Sequence, residues 1–341
     1  MSYERKNRKV VVTGGAGYIG SHIVEELLSS NYTPIVLDNF YSGNKWAIPE
    51  GVEVIEGSCG DPILLEKIFN ETQAETVFHI AGHIDAQESV VNPLKYYNNN
   101  TKNSLTLIQS CIEHNVKNFI FSSTAAIYGS TTEPIVKEND EHYPINPYGR
   151  SKKMVEEFLE DLCTASSSSE KSTHLNFVAL RYFNVAGASP SGRIGQATPG
   201  VKSLIKVVAE VHTGKRDRLS IYGTDYPTKD GTGVRDFIHV SDLSQAHIES
   251  LAYLERGGKS DVFNCGYGSG FSVLDVVNTY EKITGNKLKI EKLPRRPADP
   301  VSVIADNTKI TQHMNWSYKY NDLEQILKSA LTWEEQMSKI Q

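Results

Sequence analysis

Thr13-Gly14-Gly15-Ala16-Gly17-Tyr18-Ile19-Gly20 is the stretch that decides the fold. The β-prone run Lys9–Thr13 leads into it. Ile19, Ile23, Val24, Leu27 and Leu28 follow at helical spacing, with Glu25 and Glu26 on the other face. The octapeptide therefore joins a strand to a helix. It satisfies G-x-G-x-x-G through Gly15, Gly17 and Gly20, and a related spacing through Gly14, Gly17 and Gly20. Glycine gives such a join a tight turn, close backbone approach to a pyrophosphate and close helix–strand packing, while the helix N-terminus adds amides and partial positive charge. Asp38 closes the next strand about twenty residues on, where a carboxylate can bind adenosine ribose hydroxyls. Asp38-Asn39 has no adjacent arginine, which favours NAD over NADP, because a 2′-phosphate would meet a carboxylate.

Outward from this stretch, strand-like runs recur at Thr33–Leu37, Val52–Glu56, Thr76–Ile80, Asn118–Ser122 and Asn176–Arg181. Helical periods lie between them, at Leu105–Ile112 and at Met154–Leu162, the latter opened by Asn146-Pro147. Strands alternating with helices imply an α/β fold with a Rossmann-type doubly wound parallel sheet. From about Val185 the texture changes to Gly/Pro-rich turns, as in Gly187–Gly200 and Tyr222–Gly233. This predicts a smaller mixed α/β substrate domain. The expected division is 1–184 for the dinucleotide-binding domain, with a return to it around 235–262, and 185–341 for the substrate domain. Ala165–Lys171, rich in serine, reads as a solvated loop, and Leu323–Trp333 as an amphipathic helix.

Composition narrows the class. The chain has 341 residues and a net charge of −6 without acidic or basic blocks, which excludes a basic nucleic-acid module. No apolar run approaches the ~20 residues that span a bilayer. Met1–Lys6 runs straight into Val10–Val12 without a signal-like apolar segment. The four cysteines, Cys59, Cys111, Cys163 and Cys265, are far apart, as expected of free thiols in a reducing compartment. His22, His79, His83 and His239 show no metal spacing, so no metal is expected. The expectation is a soluble cytoplasmic protein, with no nucleic-acid or membrane partner.

Tyr148-Gly149-Arg150-Ser151-Lys152 sets a tyrosine and a lysine on one face of a helix. Tyr41 and Lys45 share the spacing but sit in a glycine-containing loop, so spacing alone decides nothing. Context separates the pairs: Tyr148 lies in a first helical turn, and Phe121-Ser122-Ser123-Thr124 ends a strand on the ligand-binding edge of the sheet. Working as a base near pH 7, a tyrosine needs about 4 kcal/mol of help. One ammonium at about 4 Å in an effective dielectric of about 20 supplies that much.

These residues resemble the extended short-chain dehydrogenase/reductases, and within them the UDP-hexose 4-epimerase branch. The resemblance covers nearly the whole chain through TGGAGYIGSH (13–22), LDN (37–39), ESV (88–90), NFIFSS (118–123), YGRSK (148–152), RYFNVAGASPSG (181–192), YPTKDGTGVRDFIHV (226–240) and PRR (294–296). It implies oxidation at C4 of a UDP-hexose with NAD as cofactor, turning of the 4-keto sugar, and hydride return to its other face. Interconversion of UDP-glucose and UDP-galactose is the expected outcome. Tyr148 would be the base and acid, Lys152 would hold the nicotinamide ribose and tune Tyr148, and Thr124 would supply the substrate-side hydroxyl. Gly14, Gly17, Tyr18, Ile19, Gly20, Asp38, Asn39, Ser58, Cys59, Ile80, Ala81, Gly82, Asn99, Ser122 and Tyr182 fall where the family binds the dinucleotide. Arg235 and Arg296 match its diphosphate arginines, Asn184 and Ser203 with Leu204 its contacts there, Tyr222 its uracil-stacking aromatic, and Asp299 its ribose ligand.

Dehydratases and decarboxylases of the same family also make a 4-keto sugar, but they place acids after or near the threonine. Thr124-Ala125-Ala126-Ile127-Tyr128 has none, leaving hydride return as the exit. Epimerases of UDP-xylose or UDP-glucuronate, and a non-catalytic NAD-binding protein on the same fold, stay open as alternatives. The chain departs from the family at Ser58-Cys59, where an Asp and an aliphatic residue are usual, and at Ile84, which replaces a lysine. Ser203 replaces an asparagine. Val303 stands where some members carry a bulky tyrosine, so it either leaves room for the N-acetyl group of UDP-N-acetylhexosamines or simply packs. The resemblance also implies a homodimer, for which Leu105–Ile112 and Met154–Leu162 are candidate helices.

Overall fold

The computed structural model describes residues 8–131, 133–167, 175–296 and 299–340. Along the first part of the chain run β1 (Arg8–Thr13), α1 (Tyr18–Ser29), β2 (Tyr32–Asp38), β3 (Glu53–Glu56), α2 (Pro62–Thr72), β4 (Thr76–His79), α3 (Ala86–Val91), α4 (Pro93–Tyr96), α5 (Asn103–Glu113) and β5 (Asn118–Ser122). There follow β6 (Ile135–Val136), α6 (Pro147–Ser167), β7 (Asn176–Tyr182), β8 (Asn184–Ala186), α7 (Leu204–His212), β9 (Leu219–Tyr222), β10 (Val234–His239), α8 (Val240–Glu255) and β11 (Asp261–Cys265). The chain closes through β12 (Gly270–Ser272), α9 (Val273–Thr284), β13 (Ile290–Leu293), β14 (Ser302–Ala305), α10 (Thr308–His313) and α11 (Leu323–Ile340). Two compact units result. The first takes the chain up to Ile127, then Asn146–Arg181 and Ser244–Phe263; the second takes Tyr128–Ile145, Tyr182–Leu243 and the chain from Asn264.

The first unit is built on a seven-stranded sheet in the order β11-β7-β5-β4-β1-β2-β3. From β7 to β3 every neighbouring pair is parallel. Parallel strands covered on both faces need continuous apolar runs. Val10–Val12, Ile35–Leu37, Val77–Phe78, Phe119–Phe121 and Val178–Leu180 supply them, all buried. Leu65, Ile68 and Phe69 of α2, Leu107, Ile108 and Cys111 of α5, and Val155 and Leu159 of α6 pack on one face, against Val11, Val77, Phe119 and Phe121. The strand order reverses between β1 and β4, so the C-terminal ends of these two strands frame the crevice where such sheets bind ligands.

The second unit holds a five-stranded mixed sheet, β12-β10-β14-β6 with β8 beside β10, and a parallel pair, β9 with β13. Its β10 runs parallel to β8 and β14 and antiparallel to β12. Helices α7, α9 and α11 pack together, and α11 extends well past the predicted Trp333. Buried Asp236 fastens the turns around β10 by accepting the N–H groups of Tyr267 (3.1 Å), Gly268 (2.9 Å) and Ala305 (3.2 Å).

Three features differ from the sequence expectation. Residues 128–145 pack in the second unit, because β6 pairs with β14 and Tyr128 donates to Asn264 Oδ1 at 2.6 Å. The serine-rich stretch begins as helix, since α6 runs through Ser167; the remainder of that predicted loop, and Met1–Lys6, lie outside the described residues. Between α4 and α5 the helix widens into a π-type turn over Tyr97–Lys102, which no periodicity in the sequence announces. Among the described residues no helix is long and apolar enough to cross a membrane, and no group of histidines, cysteines and acids could hold a metal.

Candidate active site

The glycine loop closes on itself. Gly17 donates its N–H to the Gly14 carbonyl at 3.1 Å and caps α1 with extended backbone and no side chain. A Cβ on Gly20 would stand 2.0 Å from the Gly14 oxygen, and one on Gly14, at φ +72°, would stand 2.7 Å from Ala81 N. These two positions admit no side chain; at Gly17 the same oxygen would be 3.3 Å away. Tyr18 and Ile19 form the first helical turn beside the loop. Ile80, Ala81 and Gly82 continue from β4 alongside, with the Ile80 and Ala81 amides both donating to the Thr13 carbonyl.

Asp38 is held across the loop. Its carboxylate accepts the N–H groups of Ala16 (2.9 Å) and Phe40 (2.8 Å). Burial pushes its pKa up, and these two donors pull it back. Asn39 turns its side chain to the Tyr41 N–H, and Ser58 its hydroxyl to the Gly60 N–H. Burial drives the Cys59 thiol up to about 11, so it is protonated at neutral pH; its site feels the charges of both Lys152 and Asp38.

Helix α6 starts where Asn146 accepts the Gly149 N–H on its side chain (2.9 Å) and the Arg150 N–H on its carbonyl, with Pro147 in the first turn. Tyr148 and Lys152 follow on one face, both buried. Thr124, just beyond β5, hydrogen-bonds the Tyr148 hydroxyl. Burial raises the Tyr148 pKa, the Thr124 hydrogen bond lowers it, and the Lys152 ammonium goes to the Ser122 carbonyl at 2.8 Å. Lys152 itself is lowered to about 8, by burial first, against the opposing charges of Cys59 and Glu156. The Ser122 hydroxyl bonds His247 Nε2 at 3.0 Å, leaving its carbonyl as the group that faces the lysine. Tyr41 and Lys45 make no such pair; Lys45 bonds Glu56 and Tyr41 takes the Lys95 ammonium.

Three supports escaped the sequence reading. The first is Asn100 in the π-type turn. It accepts the His83 N–H (2.8 Å) and the Asn99 amide (3.0 Å), and donates to the His83 carbonyl (2.9 Å) and Ser151 Oγ (3.2 Å). Ser151 in turn donates to the Tyr148 carbonyl at 2.7 Å. The second is a chain from Thr13 through His79 and Ser104 to the Asn100 carbonyl. Ser104 gives its proton to that carbonyl, so His79 Nε2 must carry the hydrogen given to Ser104. Nδ1 then accepts from Thr13 at 2.7 Å. Burial, with the Lys152 charge, lowers the His79 pKa to about 3, which keeps the ring neutral. The third is Glu156, which takes the Ser123 hydroxyl and a bidentate bond from Arg181, all three buried. Its spacing, one turn beyond Lys152 on the face of Tyr148, was the available signal.

The second unit gathers another set of predicted residues. Arg235 on β10 stands opposite Val303 on β14 and is ion-paired with Asp299. Val303 is 7% exposed and packs in the sheet. The Arg296 guanidinium lies 3.6 Å over the Tyr222 ring. Asn184 pairs with Phe237 across β8 and β10, with its side chain exposed. Ser203 and Leu204 open α7, where Ser203 caps with backbone geometry alone. Tyr182 belongs to this unit as well.

Known proteins resemble this chain in sequence and fold. The NAD dependent epimerase/dehydratase family matches residues 10–266. The UDP-glucose 4-epimerase of Azospirillum brasilense is 45% identical over 96% of this chain and 92% of its own. The UDP-Glc/GlcNAc 4-epimerase of Campylobacter jejuni is 46% identical, with a TM-score of 0.83 over 97% of this chain and all of that one. The UDP-glucose 4-epimerase of Stenotrophomonas maltophila, solved with NAD and formylated UDP-arabinopyranose, superposes at a TM-score of 0.92 with 31% identity, over 98% of this chain and all of that one. On the matched span and on full-length relatives at this identity, the chain belongs to the NAD dependent epimerase/dehydratase family.

Proposed function

We propose that this chain is an NAD-dependent UDP-hexose 4-epimerase that interconverts UDP-glucose and UDP-galactose. The carrying observation is the Thr124–Tyr148 hydroxyl pair with Lys152 one turn away, followed by Ala125 and Ala126 where an eliminating enzyme needs an acid. The glycine cradle fits NAD: side chains are barred at Gly14 and Gly20, and Asp38 stands at the end of β2 for the ribose. NAD, when bound, supplies the two-electron acceptor and donor.

The residues divide the work. Tyr148 takes the proton of the C4 hydroxyl, relayed by Thr124, and returns it after the 4-keto sugar has turned over. Lys152 is buried with its ammonium on the Ser122 carbonyl, and turning it towards the cofactor ribose and Tyr148 is the step by which it tunes the phenol. The first unit is the NAD-binding domain, joined by Asn99, Ile80, Ala81 and Gly82 at the end of β4 and the π-type turn. The second is the UDP-sugar-binding domain, where Arg235 and Arg296 take the diphosphate, Tyr222 the uracil and Asp299 the ribose. Tyr182, Asn184, Ser203 and Leu204 complete those contacts. Val303 is smaller than the tyrosine some members carry, and with the dual name of the Campylobacter relative this supports UDP-N-acetylhexosamines as further substrates. The protein acts in the cytoplasm as a homodimer through the α5–α6 side, where Met154 is 47% exposed.

The test is proton NMR of the anomeric signals, with purified protein mixed separately with UDP-galactose and UDP-N-acetylgalactosamine. Conversion of each to its gluco epimer is expected. No turnover of either, with NAD supplied, would reject the reading. Light scattering of the native protein and of Met154→Glu tests the dimer.

A further inference from the structure

In the second unit, the two arginines, the aromatic ring and the carboxylate assigned above to the nucleotide already have internal partners, and a neighbouring hydroxyl does not. Arg235 is paired with Asp299, and the Tyr222 ring is covered by the Arg296 guanidinium. Beside them, Arg295 lies 4.2 Å over the Tyr226 ring while bonding Asp225. The Tyr226 side chain is 5% exposed, and its hydroxyl has no hydrogen-bond partner among the described residues. A buried phenol without a partner is destabilising, so such a group calls for an explanation. The charges acting on it are Asp299, Arg295, Arg235 and Asp225, which places it where two ion pairs converge. Gly223, at φ +81°, makes room for the ring: a Cβ there would stand 2.4 Å from Tyr226 Cε2.

We propose that the Tyr226 hydroxyl is a ligand-binding group of this protein, donating its proton to a phosphate oxygen of a nucleoside diphosphate. The inference rests on the UDP-sugar reading and adds a residue to it. The unused proton needs an acceptor, and a phosphate oxygen only accepts. Arg235, whose charge reaches the hydroxyl, is the cation such an anion would seek. As the diphosphate draws Arg235 away from Asp299, the carboxylate is freed for ribose hydroxyls. Asp299 alone would be a poor partner for the diphosphate, which is why the phenol is assigned to phosphate and the carboxylate to sugar.

Tyr226→Phe removes the hydroxyl and leaves the ring under Arg295. UDP and uridine are titrated calorimetrically into wild-type and variant protein, and both proteins are melted without ligand. The expected result is about a tenfold loss of UDP affinity, unchanged uridine affinity, and an unliganded melting temperature equal to or above wild type, since an unsatisfied polar atom is gone. Equal UDP affinity in both proteins would overturn the inference alone. A matching loss for uridine would overturn the phosphate assignment. A lower melting temperature for the variant would show that the hydroxyl serves the fold and would likewise overturn it. Wild-type protein that fails to bind UDP at all would instead reject the underlying UDP-sugar reading.

Discussion

The Lys152 ammonium donates to the Ser122 carbonyl at 2.8 Å, and the Tyr148 hydroxyl is hydrogen-bonded by Thr124 rather than by that lysine. The site thus sets a buried phenol held neutral beside a buried cation resting on the end of β5. Lys152 is the less comfortable of the two, because burial lowers its pKa to about 8 from 10.5. Between those values the unfolded chain binds more protons than the folded one, so the lysine's penalty is full below about pH 8 and fades as pH rises towards the unfolded value. Lys152→Met is expected to raise unliganded stability at pH 7 by roughly 1–3 kcal/mol while lowering kcat by at least about a hundredfold. Urea unfolding at pH 7 and pH 10, with the gain shrinking at the higher pH, checks the first part; steady-state rates check the second.

Thr124 lowers the Tyr148 pKa by donating to its oxygen, against the burial that raises it. Removing the donor in Thr124→Val should therefore move the ascending limb of the pH–rate profile to higher pH. At pH 7 it should lower kcat by about 10²–10⁴, the usual range for a positioned proton-transfer group. Thr124→Ser, which keeps the hydroxyl, should retain most of the rate. An unmoved limb in the valine variant would contradict the hydrogen bond's role.

At Gly20 a methyl group would collide with the Gly14 carbonyl, whereas at Gly17 the same oxygen stands 3.3 Å from the added carbon. Gly20→Ala is expected to cost about 1–3 kcal/mol of stability and to strip the protein of dinucleotide. Gly17→Ala should be milder on both counts. Melting curves, with the absorbance ratio at 260 and 280 nm as a measure of retained cofactor, discriminate the two.

The Arg181–Glu156 pair is almost fully buried, with side chains 2% and 3% exposed. Breaking it from one side leaves a bare charge in the core. Arg181→Met or Glu156→Leu alone should lose about 3–5 kcal/mol, and the double variant should recover much of that. Chemical unfolding of the wild type and the three variants gives the coupling directly.

The doubly wound sheet was legible because its signals are local: apolar runs of strand length, helical periods between them, and a glycine turn whose geometry tolerates one residue type at Gly14 and Gly20. Tyr148 and Lys152 were marked out by local context, a first helical turn following a strand that ends in Ser122-Ser123-Thr124, because Tyr41 and Lys45 share their spacing. What the sequence withheld depends on distant partners. His79 reads as an isolated histidine until Thr13 and Ser104 meet it, and Glu156 reads as a helix-surface acid until Arg181 arrives from β7. The assignment of Tyr222, Arg235, Arg296 and Asp299 came through resemblance, since nothing in their spacing brings them together. The direction of the Lys152 ammonium had no sequence signal, because it turns on a backbone carbonyl.

The π-type turn over Tyr97–Lys102 has a further consequence for how this region can change. A helix that carries an additional residue in one turn is phase-shifted downstream by about 100° relative to an uninterrupted one. Upstream of the shift lie Tyr96 and Glu88, bonded to each other; within it lie Asn98, Asn99 and Asn100, and downstream lie Leu107, Ile108 and Cys111 in the core. Losing one residue would restore a regular helix while rotating the asparagines and the apolar stripe out of step. Substitutions along Pro93–Glu113 can accumulate one at a time, whereas a single-residue deletion there cannot be absorbed by sliding, because the segment works as a phase adjuster whose setting is fixed at both ends.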